Sequence, residues 1–484
     1  MTAGVGGPAG AGSAAQEADG VGSLAIVLHS HMPYVEGFGT YPFGEEWLFD
    51  ALIRSYAPVL EFAERLTMTV TPVLADQLEA EGVRERLLEF LREYRIRSCR
   101  ADVGDVEAPL VAACEAEARR YERVLAQLES RGDLLSLFQE PAGARRVELI
   151  PSTATHAVLP LLATATCRRL QIDAGLRSHQ RRFGEPRGFW LAECAYEPGL
   201  ERLLAEAGIE WFCTDQSAYE DPLAALTPVV AAAETTAFTI DWEAISWLWS
   251  LDGYPSDALY ADFHRKSLRG ARLWAISGDP YQPEAAEARA RAQAEEFVVS
   301  VRERLERFAA DRHRRGLLVF AIDTELLGHW WWEGPIWLER VLELAAGKGI
   351  ELVSLSEAAA RYTPELRPLR RSSWGEGKDL STWDSPAVAD MAWAARRLEL
   401  RLLRGLGMGV EGPAAMRATR ELLALQASDW AFLDRRGQAG DYPYQRATGH
   451  AEALLEAINS ASNPPDARLR NLAPDLSLSP LLEP

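Results

Sequence analysis

The most constraining feature of this chain is a series of short apolar segments that are separated by helical stretches. Each segment has the length and the composition of a buried strand. The segments cover residues 24–28, 68–74, 147–152, 188–193, 210–215, 318–323 and 351–355. Strands that alternate with helices are typical of parallel β/α architecture. The sequence therefore predicts a β/α fold, and its 484 residues suffice for one large barrel with an additional domain.

Two regions depart from this alternation. A charged stretch at about residues 77–140 has a helical pattern without strands, which indicates a helical insertion. Beyond about residue 362 the strand pattern stops, and amphipathic helices are predicted over residues 387–406, 413–432 and 445–458. We therefore expect a disordered tail over residues 1–22, a catalytic barrel domain over 23–364 and a helical C-terminal domain over 365–484.

Charge and cysteine usage narrow the range of partners and compartments. The formal net charge of -20 repels phosphate backbones and anionic lipids, so neither nucleic acid nor a membrane is an expected partner. The five cysteines form no CxxC pair, which predicts free thiols in a reducing compartment. No run of about 18 apolar residues occurs, and residues 1–22 lack the features of a signal peptide. A cytoplasmic location is therefore expected.

Polar side chains end several of the apolar segments, among them His29, Glu193, Asp215 and Asp323. The C-terminal ends of barrel strands carry the chemistry of barrel enzymes. A carboxylate that ends an apolar strand is not there to fill a core, because burying it unpaired is costly. Two such carboxylates can cleave a glycosidic bond, and a separation of about 5–5.5 Å gives a retaining mechanism. Glu193 and Asp323 are the candidate catalytic pair, and Glu325 is a further candidate carboxylate.

Tryptophans cluster beside these motifs. Trp330, Trp331 and Trp332 follow Asp323 directly, and consecutive tryptophans cannot all face one core. Indole packs well on the apolar face of a pyranose ring, so Trp332 is a candidate sugar contact. Two further tryptophans, Trp374 and Trp383, flank a glycine-containing loop. A carbohydrate-binding surface is the favoured interpretation of this set, and ordinary packing is the alternative.

Two histidines, His29 and His31, follow the first strand with one residue between them, so both imidazoles point to one face. They could hydrogen-bond a sugar or bind a metal. The metal interpretation would suit an amidohydrolase or deacetylase with His156 as a further ligand. It leaves Glu193 and the tryptophans unexplained, so the sequence favours sugar contacts, with no metal and no cofactor.

Five motifs occur in order along the chain: LHSHMPYV, VELIPSTATHAVLPLL, GFWLAECAY, AIDTELLGHWWWEG and QASDWAF. Together they resemble glycoside hydrolase family 57, in particular its α-1,4-glucan branching-enzyme-like members. The resemblance covers residues 24 to about 458. It implies an incomplete seven-stranded parallel (β/α) barrel with a helical insertion and an all-helical C-terminal domain, acting on an α-glucan polysaccharide or oligosaccharide.

The resemblance also implies roles for individual residues. Glu193 would be the nucleophile and Asp323 the general acid/base, with no metal needed. Tyr41 stands where many members have tryptophan, which keeps an aromatic platform. The C-terminal domain would bring Asp429 to the site. The residues expected to contact sugar or to line the glucan cleft are His29, His31, His156, Trp249, Trp374 and Trp383.

The choice between branching and hydrolysis stays open at the level of sequence. Branching enzymes of this family carry a tyrosine on a mobile loop that helps to keep water from the covalent intermediate. The corresponding stretch, residues 215–241, is short and rich in alanine, and Tyr219 is its only tyrosine. Branching is the favoured activity, and an α-amylase-like hydrolase is the alternative.

Overall fold

The computed structural model describes residues 20–36, 43–219, 221–231, 235–459, 469 and 471–482. Most of the predicted N-terminal tail, residues 1–19, and Tyr41 lie outside the described residues. The strands are β1 (Gly22–Ser30), β2 (Leu66–Val70), β3 (Val147–Ile150), β4 (Gly188–Trp190), β5 (Trp211–Asp215), β6 (Val229–Val230), β7 (Thr236–Ile240), β8 (Gly316–Asp323), β9 (Ile350–Leu352) and β10 (Glu365–Leu366).

The helices surround this sheet and continue beyond it. Those up to residue 361 are α1 (Glu45–Ala51), α2 (Ala57–Phe62), α3 (Pro72–Leu78), α4 (Val83–Glu89), α5 (Arg97–Asp105), α6 (Val111–Glu129), α7 (Ser136–Gly143), α8 (Ala165–Phe183), α9 (Leu200–Glu206), α10 (Trp242–Trp249), α11 (Pro283–Arg312), α12 (Gly334–Ala345) and α13 (Leu355–Arg361). The last are α14 (Ala389–Gly407), α15 (Gly412–Leu425), α16 (Ser428–Arg436), α17 (Tyr442–Asn459) and α18 (Ser479–Leu482). Two π-helical segments join α1 to α2 and α4 to α5, at Leu52–Tyr56 and Phe90–Ile96.

Seven parallel strands form the barrel in the order β3-β2-β1-β8-β7-β5-β4. All nine residues of β1 are buried, as expected for a parallel strand that is covered on both faces. Among the described residues, no ladder joins β3 to β4, although the Trp190 N–H donates to the Pro151 carbonyl at 2.9 Å. The predicted incomplete seven-stranded barrel is confirmed.

One barrel strand was missed and one predicted strand lies elsewhere. The missed strand is β7, which falls in the alanine-rich stretch between Asp215 and Asp241 and pairs with β5 and β8. The predicted strand at residues 351–355 is β9, which pairs only with the first residues of β1 and lies outside the ring of seven. A short apolar run indicates burial, but it does not say which neighbour the strand pairs with.

The region between β2 and β3 contains helices α3 to α7 and, among its residues, no strand. Helix α6 supports the barrel from this region, because the Arg120 guanidinium donates to the Trp332 carbonyl at 2.6 Å and to the Arg54 carbonyl at 3.0 Å. Within the described residues, no helix is long and apolar enough to cross a membrane.

The C-terminal helices pack around a buried cluster that includes Leu402, Leu422, Leu423 and Leu454. The prediction of a single helix over residues 413–432 is wrong, because the helix is interrupted between α15 and α16. At the break, Ala427 is not helical (φ -55°, ψ 137°) and forms an antiparallel bridge with Ala157 of the barrel. Pairing with the barrel backbone therefore interrupts a sequence whose helical pattern is continuous.

Candidate active site

A cavity of about 280 Å³ opens where the C-terminal strand ends of the barrel face helix α16. It brings together ten of the twelve candidate site residues that the sequence singled out. They are His29, His31, His156, Glu193, Trp249, Asp323, Glu325, Trp374, Trp383 and Asp429. Tyr41 lies outside the described residues, and Trp332 is placed elsewhere.

Glu193 occupies a tight turn directly after β4. Its φ of 59° and the φ of 49° at Cys194 lie in the left-handed region, which costs energy for residues other than glycine. The turn is held by Trp374, whose backbone N–H donates to the Glu193 carbonyl at 3.0 Å. The strained turn aims the carboxylate at the cavity instead of along the barrel wall, a placement typical of functional residues.

Two donors hold the Glu193 carboxylate. Trp374 Nε1 donates to Oε2 at 2.8 Å, and Ser428 Oγ donates to Oε1 at 2.9 Å. Burial raises the pKa of Glu193, and these two hydrogen bonds act in the opposite direction because they favour the ionised form. The net pKa stays raised, and the two donors are the contacts that favour a charged Glu193 in this buried position.

Asp323 ends β8 and lies opposite His29 in the register of β1 and β8. Burial raises its pKa well above the ordinary value, and the nearby carboxylates Glu325 and Glu193 raise it further. The two carboxyl groups therefore differ in environment. Asp323 is favoured as the protonated partner, and Glu193, with its two donors, as the ionised one.

Glu325 is tied to the framework of the site. Its Oε1 accepts hydrogen bonds from the Tyr56 hydroxyl and from the backbone N–H of His31, the latter at 3.1 Å. Burial raises the pKa of Glu325 to about 7, against the effect of these donors. Its position beside Asp323 makes it an electrostatic neighbour of that carboxyl group.

Three histidines form a stack beside the carboxylates. Ring centroids lie 4.8 Å apart for His29 and His156 and 4.1 Å apart for His31 and His156, and Trp190 stacks on His29 at 4.9 Å. Burial lowers the pKa of His29 and of His156 well below the ordinary value, so both rings are neutral at neutral pH.

His31 differs from the other two because both of its ring nitrogens are engaged. Nδ1 lies 3.1 Å from Thr71 Oγ1, and Nε2 lies 3.0 Å from Asp429 Oδ1. Burial lowers the pKa of His31, but the hydrogen-bonded Asp429 carboxylate, together with those of Glu325 and Glu193, outweighs burial and the net pKa is raised. Side chains of the protein therefore engage both ring nitrogens of His31 in this structure.

Several buried polar atoms face the cleft without a partner. Among the described residues, neither ring nitrogen of His29 has a hydrogen-bond partner, and the same holds for His156 Nε2 and Asp429 Oδ2. Buried polar groups are nearly always hydrogen-bonded in a native protein. Four such atoms belong to residues that line one cavity, so this cavity concentrates hydrogen-bonding capacity that the described part of the protein does not use.

The aromatic lining differs from the predicted one at the tryptophan triplet. Trp330 is 49% exposed and lines the cleft, whereas Trp332 is only 7% exposed. Two guanidinium groups pack against the Trp332 ring, with Arg120 at 3.8 Å and Arg272 at 4.7 Å from the ring centroid. Trp330 therefore lines the cleft and Trp332 does not, so the predicted sugar contact of Trp332 has no support from the lining of this cleft.

Two residues of the site were not identified from the sequence. Ser428 contacts both Glu193 and His156, and its only signal was a Ser-Asp pair of the kind that starts helices. Trp242 lines the cleft, and its Nε1 donates to Asp215 at the end of β5. Asp215, a polar strand end in the sequence, thus orients a cleft tryptophan.

Comparison with known proteins agrees with this geometry. Residues 25–368 match the model of glycosyl hydrolase family 57, and residues 396–478 match that of the 1,4-alpha-glucan branching enzyme C-terminal region. The 1,4-alpha-glucan branching enzyme of Thermococcus kodakarensis is 32% identical over 90% of this chain and 73% of that protein.

Solved structures resemble most of the chain. The family 57-type branching enzyme of Pyrococcus horikoshii is 31% identical, with a TM-score of 0.88 over 95% of this chain and 97% of the other. The alpha-amylase AmyC of Thermotoga maritima is 26% identical, with a TM-score of 0.80 over 90% and 93% of the two chains.

Proposed function

The chain belongs to glycosyl hydrolase family 57, and we propose that it is a retaining 1,4-α-glucan branching enzyme with Glu193 as nucleophile and Asp323 as acid/base. One observation carries the assignment of roles. Glu193 has two hydrogen-bond donors that favour its ionised form, whereas Asp323 is buried beside two other carboxylates that favour its protonated form. Opposite protonation states in one cleft are what double displacement at an anomeric carbon requires.

In the first step, a Glu193 carboxylate oxygen attacks the anomeric carbon of an α-1,4-linked glucose. The bond from that carbon to the leaving oxygen breaks, and Asp323 transfers its proton to this oxygen. The product is a glycosyl ester on Glu193 and a shortened chain. Because the ester is neutral, Asp323 loses one of the negative neighbours that raised its pKa, and it can then act as a base.

In the second step, a 6-hydroxyl of an acceptor glucan attacks the same anomeric carbon. Asp323 takes the hydroxyl proton, the ester bond to Glu193 breaks, and an α-1,6 linkage of retained configuration forms. The unpartnered atoms of His29, His156 and Asp429 accept or donate to the hydroxyls of the reacting sugar.

Aromatic side chains provide the binding surface for the rest of the chain. Trp374 and Trp383 border the cleft from one loop, and Trp249, which is 53% exposed, borders it from the end of α10. Indole rings at several points can hold donor and acceptor glucans near the intermediate, where proximity competes with the high concentration of water. The five buried free cysteines suit a reducing compartment, so the proposed site of action is the cytoplasm.

An α-amylase-like hydrolase is the second candidate, and a specific observation favours it. Tyr219 packs against an apolar cluster with Leu203 and Ala207, and it does not line the cavity. It therefore cannot shield the ester from water in this conformation, and a solved relative is itself an α-amylase.

Product analysis separates the two activities. Amylose is incubated with the enzyme, and new α-1,6 linkages and new reducing ends are counted in the same sample. Branching predicts that the α-1,6 linkages outnumber the reducing ends. Abundant reducing ends without an α-1,6 signal would make the protein a hydrolase, and inactivity on amylose would contradict both assignments.

A further inference from the structure

Ser428 lies between the proposed nucleophile, Glu193, and His156. Its Oγ is 2.9 Å from Glu193 Oε1 and 2.9 Å from His156 Nδ1. The side chain is buried, and it comes from the C-terminal helical domain, whereas both of its partners belong to the barrel. A hydroxyl has only one proton, so the two contacts cannot both be donations from Ser428.

The charge of Glu193 decides which way the proton points. An ionised carboxylate accepts hydrogen bonds and donates none, so Ser428 must donate to Glu193. The serine oxygen must then accept from His156, which places the proton of the imidazole on Nδ1. His156 is neutral because burial and its histidine neighbours lower its pKa, so Nε2 carries a lone pair.

We propose that Ser428 is a positioning residue that holds the Glu193 carboxylate and fixes His156 as the Nδ1–H tautomer, so that His156 Nε2 accepts a hydrogen bond from a glucan hydroxyl. The proposal rests on the proposed function, because it takes Glu193 as an ionised nucleophile. His156 Nε2 is buried at the cleft and has no partner among the described residues, as an acceptor reserved for substrate would be.

The backbone explains why this hydroxyl can be held so accurately. The Ser428 N–H donates to the His156 carbonyl at 3.2 Å, and Ala427 bridges Ala157 next to it. His156 has a φ of 59°, so the barrel loop turns back towards α16 at this residue. The same short contact therefore docks the helical domain and places the hydroxyl between Glu193 and His156.

Three serine variants form a matched test. Ser428→Ala removes the hydroxyl that contacts Glu193 and His156, and Ser428→Thr keeps a hydroxyl at this position. Ser152→Ala is the control, because Ser152 is a buried serine whose hydroxyl donates only to the Trp190 carbonyl, at 2.9 Å. The acidic limb of the pH dependence of kcat/KM reports the ionisation of the free-enzyme nucleophile.

We expect Ser428→Ala to move this acidic limb to higher pH by about one unit, because an ionised carboxylate loses a donor. Ser428→Thr should restore the wild-type limb, and Ser152→Ala should leave it unmoved. The other ionisable groups around Glu193 are present in all these variants, so the difference belongs to the hydroxyl. Those groups are His29, His31, His156, Asp323, Glu325 and Asp429.

The tautomer is measured on the unmodified enzyme. Protein carrying ¹⁵N-histidine gives ring-nitrogen resonances, and the His156 signals are assigned by their loss in His156→Gln. A proton on Nδ1 and none on Nε2 supports the proposal. A proton on Nε2 overturns it, even if the pH profiles of the variants change as expected. An acidic limb that is the same in Ser428→Ala as in wild type also overturns it. Full activity of Glu193→Gln would instead contradict the proposed function, in which Glu193 is the nucleophile.

Discussion

The barrel side of the cleft carries its functional groups at the ends of strands, whereas the C-terminal domain reaches the cleft through the start of one interrupted helix. His29, Glu193 and Asp323 are the groups that the strands provide. The helix provides Ser428 and Asp429, and each of these contacts a barrel side chain. With the proposed roles, the barrel contains the reacting groups, and the helical domain provides hydrogen-bond partners for Glu193 and His31.

The largest expected effect is the loss of either reacting carboxyl group on the barrel side. Glu193→Gln and Asp323→Asn should each lower kcat by about three orders of magnitude or more, because members of a catalytic set act as a unit. Both should unfold at the wild-type temperature or above it, since a buried carboxyl is replaced by a neutral amide. Turnover on amylose and thermal unfolding measure the two quantities. A variant that kept a tenth of wild-type turnover would exclude that residue from the reaction.

The contribution of the helical domain should be smaller but still large. Asp429→Asn removes the charge that pairs with His31, and we expect kcat/KM to fall by about a hundredfold as the ring is misplaced. A comparable loss in a variant of Phe432, which lies in the same helix and lines the cleft, would show that α16 acts only by packing.

The same variant has a defined pH signature. Asp429 raises the folded-state pKa of His31, so the ion pair stabilises the fold fully below the unfolded pKa of about 6.5 and loses this effect as pH rises through the folded pKa. The stability difference between wild type and Asp429→Asn should therefore be larger at about pH 5.5 than at about pH 8.5. Thermal unfolding at the two pH values measures it, and equal differences would mean that the pair does not form.

A further test removes Trp374 as a donor to Glu193. Trp374→Phe keeps an aromatic ring but removes the Nε1–H that donates to Oε2, so the acidic limb of kcat/KM should move to higher pH by about one unit. Trp383→Phe is the matched control, because its Nε1 has no partner among the described residues. Equal shifts in both variants would assign the effect to the aromatic surface.

The smallest expected effect distinguishes two adjacent tryptophans. Trp330→Ala removes an exposed cleft ring and should raise KM for amylose by about three- to tenfold. Trp332→Phe should leave KM unchanged and lower the unfolding temperature, because that ring packs against the guanidinium groups of Arg120 and Arg272. A raised KM for Trp332→Phe with an unchanged KM for Trp330→Ala would indicate that Trp332, and not Trp330, contacts the glucan.

The architecture and most of the site could be predicted because strand ends are marked in the sequence. Glu193 and Asp323 follow apolar runs, and a parallel barrel brings such ends to one face. The missing parts depend on pairing that local patterns do not encode. Ser428 reaches the site only because Ala427 bridges Ala157 and breaks a continuous helical pattern. Strand β7 was missed and β9 was taken for a barrel strand, because a short apolar run does not show which strands it pairs with.

The gap between β3 and β4 has a consequence for producing the barrel by itself. The chain just beyond each of these strands is paired with the C-terminal part, Ala157 with Ala427 and Tyr196 with Ser372. A fragment that ends before α14 keeps the second pairing and loses the first, which exposes backbone N–H and C=O groups beside an open strand edge. Such edges recruit strands from other molecules. The isolated barrel should therefore form aggregates, so an inactive truncation would report self-association before it reported anything about catalysis.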